Sequence, residues 1–128
     1  SAEKVLTALN NAYNLQNLTQ ENVIILTVDT KLKCVGLHVV HVGSIRESMF
    51  DIRDIFKRVL LSNSSRFFLI HNHPSGDSTP SPEDFAATSR VLEASRVMNI
   101  DFVDHIVVGY HEHTSIREST NLWIDGRE

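Results

Sequence analysis

Arg66-Phe67-Phe68-Leu69-Ile70-His71-Asn72-His73-Pro74-Ser75-Gly76-Asp77-Ser78-Thr79-Pro80-Ser81-Pro82-Glu83-Asp84 is the stretch on which the fold turns. Residues 66–71 are a short apolar run that passes straight into polar residues, the pattern of a strand running into a loop. All three prolines of the chain lie between Pro74 and Pro82, which marks one irregular loop after that strand. Ser81 suits a helix N-cap, Pro82 the first helical position and Asp84 the third residue of a capping box. A helix is therefore expected from Pro82 to Met98, with Phe85, Ala86, Val91, Leu92 and Met98 turned inward, followed by a strand from Phe102 to Gly109.

Upstream, Val5, Leu6, Leu9 and Tyr13 fall at helical spacing in residues 2–15. Asn22 to Asp29 is a β-rich run, Asp29-Thr30-Lys31 reads as a turn, and Cys34 to Val42 as the returning strand of a hairpin. Asp51 to Leu61 carries Ile52, Ile55, Phe56, Val59 and Leu60 on one helical face, and residues 114–116 add a short strand. The order helix, hairpin, helix, strand, helix, strand gives a mixed α/β fold of α+β type, a mixed sheet held between helices. No linker or repeat divides residues 1–128, so a single domain is expected.

The chain has 128 residues, 41% hydrophobic and 22% charged, which excludes disorder, collagen and coiled coil as whole-chain readings. At this length one core buries roughly two thirds of the unfolded surface, so the fold needs neither disulfide nor metal to hold it. The net charge of −4 argues against a domain built to grip phosphate backbones, and strong nucleic-acid binding is not expected. The one cysteine, Cys34, rules out an intrachain disulfide and a Cys-rich zinc site, and is expected to be a small buried hydrophobe. The apolar runs are too short for a membrane helix, no signal segment opens the chain, and Ser1 stands where a trimmed fragment would begin. An intracellular chain is the expectation; nothing in the sequence indicates an oligomeric state.

The chemistry concentrates at the end of the strand that opens this reading. His71 and His73 are two apart, which at a strand end points both imidazoles to one face. Asp84, in the first turn of the next helix, can offer a carboxylate to the same point once the loop folds back. Two His and one carboxylate leave a fourth position open on a tetrahedral zinc, as catalytic sites do. The alternative is structural: seven histidines make a His-x-His pair unsurprising, and capping alone accounts for Ser81 and Asp84. His111 and His113 form a second such pair, read as surface loop. His38 and His41 have opposite parity on their strand and are given no role.

The same residues resemble the JAMM signature of the JAB1/MPN metalloprotease superfamily: His-x-His-Pro, seven residues, then Ser-x-x-Asp, present as His71, His73, Pro74, Ser81 and Asp84. His-Asn-His-Pro-Ser-Gly, Pro-Ser-x-x-Asp and the later Asp104-His105-Ile106-Val107-Val108-Gly109 are similar to the bacterial RadC family, over essentially the whole chain. The resemblance implies a cytidine-deaminase-like JAB/MPN architecture, one Zn2+ on His71, His73 and Asp84, and a catalytic Glu at the start of an early strand. Glu21, just before Asn22, fits that place as general base and then proton donor; Glu47 is the rival. Ser81 would donate to the oxyanion of the reacting carbonyl, a role that competes with capping the helix. Asp104-His105 either orients a ligand imidazole or belongs to an ordinary strand, and the second reading is preferred.

The resemblance thus implies a zinc-dependent hydrolase of peptide or isopeptide bonds in the bacterial cytoplasm, acting on an unidentified peptide or protein substrate. The alternative is a non-catalytic JAB module associated with protein or DNA, since the RadC family is named for DNA repair. Members of that family carry a helix-hairpin-helix-like segment ahead of the JAB domain, and nothing in these residues resembles one. Little room exists between Arg66 and Gly109 for the loops with which deubiquitinating relatives hold ubiquitin.

Overall fold

The computed structural model describes residues 4–7, 9, 14, 20–42 and 52–124. Residues 4–7 and 9 are helical. The elements that follow are β1 (Asn22–Val28), β2 (Cys34–Val42), α1 (Ile52–Leu61), β3 (Arg66–Asn72), α2 (Pro82–Met98), β4 (Asp101–Val108), β5 (His113–Ser115) and α3 (Ile116–Ser119). The strands form one mixed sheet in the order β2-β1-β3-β4-β5. β1 pairs antiparallel with β2 and β3, β3 pairs parallel with β4 across the α2 crossover, and β4 pairs antiparallel with β5. This is an α+β fold of the JAB/MPN type.

Alternation along the strands sorts the core into two layers. Val23, Ile25, Phe67, Leu69 and Phe102 meet Ile55, Phe56 and Val59 of α1 and Ala87, Val91 and Leu92 of α2. Ile24, Leu26, Val28, Phe68, Ile70, Ile106 and Val108 meet Val5, Leu6 and Leu9 of the N-terminal helix on the other face. His71 continues the parity of Phe67 and Leu69, so it points to the α2 face.

The parallel pair β3–β4 is irregular at one point. Phe67 faces Phe102, but Phe68 faces Asp104, so β4 carries one extra residue, a β-bulge at Val103. Phe102 packs in the α2 layer and Val103 against the opposite one. The extra residue resets the alternation, so that His105, paired with Leu69, faces α2 beneath His71.

Four expectations need correction. Leu60, expected on one helical face with Ile55, Phe56 and Val59, is exposed while those three are buried. Cys34 is exposed, not buried, because it opens β2, the outer strand of the described sheet. The buried face of α2 is Asp84, Ala87, Thr88, Val91, Leu92 and Ser95; Ala86 and Met98 are exposed and Phe85 is half-buried. The segment after β4 forms β5 at 113–115, one residue earlier than expected, and Ile116 already opens α3. Most of the helix expected over 2–15, and Glu47, lie outside the described residues. No helix among the described residues is long and apolar enough to cross a membrane.

Candidate metal centre

One end of the sheet gathers Glu21, His71, His73 and Asp84, each offering a ligand atom within 4.8 Å of the others. His71 Nε2 and His73 Nε2 are 3.1 Å apart. The Asp84 carboxylate spans both, with Oδ1 3.1 Å from His71 Nε2 and Oδ2 3.1 Å from His73 Nε2. Glu21 Oε1 lies 3.7 Å from His71 Nε2. His71 and Asp84 are buried; His73 and Glu21 are the members that reach the surface.

The protonation of both imidazoles follows from their outer partners. Thr88 has a single hydroxyl proton, and the backbone carbonyl of Asp84, 2.7 Å away, can only accept it. Thr88 Oγ1 must therefore accept from His105 Nδ1–H at 2.6 Å. Burial holds His105 well below the usual histidine range, so the ring is neutral and its Nε2 is bare. That nitrogen accepts from His71 Nδ1–H at 2.8 Å, which leaves the His71 Nε2 lone pair facing His73 and Asp84. His73 Nδ1–H in turn donates to the Asp77 carbonyl at 2.8 Å, freeing its own Nε2 for the same point.

Two bare nitrogens and a carboxylate at 3.1 Å repel one another unless positive charge lies between them. In the metal-free chain a proton supplies it: the hydrogen bond to Asp84 raises His73, against the opposing effect of burial. The same donors could also hold a metal cation. Ligand atoms around a tetrahedral zinc with bonds of about 2.0–2.1 Å are separated by about 3.3–3.4 Å, close to the spacing here. The His, His, Asp donor set leaves one side open, toward Glu21.

Local structure explains how each group arrives. Ser81 caps α2: its Oγ accepts from Asp84 N–H at 3.1 Å, and Asp84 Oδ2 accepts from Ser81 N–H at 2.8 Å. The capping box thus aims the carboxylate as well as starting the helix. The expected competition at Ser81 disappears, because capping uses an oxygen lone pair and leaves the O–H able to donate. Asn72, between the two histidines, points to the other face and braces Glu21 from both sides. It accepts from Asn22 N–H at 2.7 Å and donates to the Gln20 carbonyl at 3.0 Å.

Sequence reasoning thus missed Asn72 and Thr88; His105 is the hydrogen-bonded strand histidine that was expected, and its partner is the His71 ring of the cluster. Asp104 serves the fold instead. It accepts from the backbone N–H of His105 and Arg117 and from the Ser115 hydroxyl, tying β4 to the start of α3. His111 and His113 are exposed and stand apart from the cluster.

A family model described as a RadC-like JAB domain matches residues 1–122. Among curated bacterial proteins, the chain is 40% identical over 107 residues to a UPF0758 protein of Trichodesmium erythraeum, covering 84% of this chain and 44% of that protein. It is 41% identical over 104 residues to a UPF0758 protein of Roseiflexus castenholzii, covering 81% and 45%. A UPF0758 protein of Bacillus pumilus is 38% identical over 109 residues, covering 85% and 49%. The chain therefore spans about half the length of these relatives or slightly less.

Proposed function

The chain belongs to the RadC-like JAB domain family, and on that premise we propose that it is a zinc-dependent hydrolase of amide bonds, peptide or isopeptide. The observation that carries the reading is the convergence of two histidine lone pairs and one carboxylate on a point that a second carboxylate overlooks. His71, His73 and Asp84 would hold the zinc ion, which when bound would supply a Lewis acid and activate water near neutral pH. Glu21 takes a proton from the attacking water and returns it to the leaving nitrogen. It is suited to this because its carboxylate sits at the mouth of the site on a braced strand start. Ser81 donates its O–H to the developing oxyanion. We place the activity in the bacterial cytoplasm, on a peptide or protein substrate. The net charge of −4 speaks against tight binding of duplex DNA by this chain.

The test uses zinc-loaded protein and a peptide and isopeptide library. Wild type should cleave a subset. Glu21→Gln should keep one zinc per chain and lose about 10²–10⁴-fold in rate. His73→Ala should lose the zinc with the fold retained. A His73→Ala protein with full metal occupancy would refute the ligand assignment. Unchanged turnover in Glu21→Gln would remove the proton carrier and leave the non-catalytic module as the better description.

A further inference from the structure

We propose that Glu112 is a positioning residue for the metal-binding loop, holding the peptide plane that sets the state of His73. The inference rests on the reading of His71, His73 and Asp84 as a metal site. His73 is a ligand through Nε2 only while Nδ1 keeps its proton, and the group that keeps it there is the Asp77 carbonyl. Asp77 lies in the irregular stretch between β3 and α2, where no strand or helix ladder fixes a carbonyl's direction.

Glu112 supplies that direction from the β4–β5 loop. The Asp77 C=O and the Ser78 N–H belong to one rigid trans peptide plane, and they point opposite ways. Glu112 Oε2 accepts from Ser78 N–H at 2.9 Å, so gripping one side of the plane aims the carbonyl on the other. The same oxygen accepts from the Ser78 hydroxyl at 2.8 Å, and that hydroxyl also lies 2.9 Å from Thr114 Oγ1 on β5. A second tie between the loops runs from Tyr110 N–H to the Gly76 carbonyl at 2.8 Å. The loops pass so closely that Gly109 has no space for a side chain: a Cβ there would meet the Gly76 carbonyl oxygen and lie 2.8 Å from Ser78 N. These contacts form a path from Glu112, through one peptide plane, to the proton on His73.

Both bonds end on one oxygen, which separates positioning from charge. Gln at 112 keeps a carbonyl oxygen able to accept both; Ala keeps none. Zinc and cobalt(II) titrations of wild type, Glu112→Gln and Glu112→Ala, with melting temperatures of the metal-free proteins alongside, test the inference. Glu112→Ala should weaken zinc binding about tenfold or more and alter the cobalt(II) visible spectrum, while Glu112→Gln stays within about threefold of wild type. Glu112 is exposed, so the fold should survive both changes. Wild-type affinity and spectrum in Glu112→Ala, even with a lower melting temperature, would reduce Glu112 to a loop stabiliser. A Gln variant as weak as the Ala variant would show that charge, not positioning, is what Glu112 contributes. A wild-type chain that takes up neither metal would sink the metal-site reading, and this inference with it.

Discussion

Thr88 has one hydroxyl proton, and where that proton goes decides which nitrogen of His71 is bare, two residues further along the hydrogen-bond chain. Thr88→Val keeps the shape and removes the acceptor for His105 Nδ1–H. His105 then gains by moving its proton to Nε2, which turns a donor toward His71 Nδ1 and drives the His71 proton to the metal side. Zinc affinity should fall about 10–100-fold, measured by chelator competition, while far-UV circular dichroism stays native. An unchanged affinity would mean that the relay does not set the ligand's state. Asn72 acts on the Glu21 side of the cluster. Asn72→Ala leaves the Asn22 N–H without its acceptor, while the Gln20 carbonyl keeps the Asn22 side-chain amide, and should destabilise the fold by about 1–3 kcal/mol in urea titration. Zinc stoichiometry should be retained, because Asn72 braces the glutamate and not the ligands; a loss of metal would show that the two faces of β3 are coupled.

The elements show where local pattern informs and where it misleads. The convergence of His71, His73 and Asp84 was legible because the two histidines share parity at a strand end and Asp84 sits at a capped helix start, both properties of a few adjacent residues. The inner face of α2 was not, because its buried stripe holds Asp84, Thr88 and Ser95, and a reading by apolar periodicity rotates the helix away from its polar, site-facing side. His105 was hidden for a longer-range reason. Its orientation depends on the bulge at Val103, and a bulge in a parallel pair appears only once β3 and β4 are placed in register. Loop against loop is equally silent in sequence. Gly109→Ala tests that contact: the added methyl meets the Gly76 carbonyl and Ser78 N, so the β4–β5 loop must shift, at about 1–3 kcal/mol. The variant should melt lower and bind zinc more weakly than wild type. A stability loss with unchanged zinc affinity would confine Gly109 to packing.

For the molecule as a whole, protonation at the His71–His73–Asp84 cluster gives the pH dependence its sign. Burial pushes Asp84 up, but its hydrogen bonds with His73 and with the Ser81 backbone N–H outweigh it and hold the carboxyl well below its usual range. Its contribution to stability is present above about pH 3.8 and is lost as the pH falls through the lower folded value. His73 is raised above 6.5, so its contribution is complete below that pH and is lost as the pH rises through the folded value. The metal-free chain should therefore draw most from this pair between about pH 4 and pH 6.5, and the zinc-loaded chain should keep its melting temperature above that window. Melting curves in chelator and in zinc from about pH 5 to pH 9 check this; a difference between them that shrinks as the pH rises would contradict it. The hairpin and the order of elements were readable from the chain because each is local, whereas the pairing of β1 with β3 joins distant segments. That pairing has a kinetic consequence. The three ligands come from neighbouring residues, 71 to 84, and need only β3, its loop and the first turn of α2 to meet. Glu21 arrives only when β1 docks along β3, a contact that must close a much longer loop. Loop-closure cost thus orders the assembly: His71, His73 and Asp84 can meet locally, and the four-residue cluster is whole only once the sheet is whole.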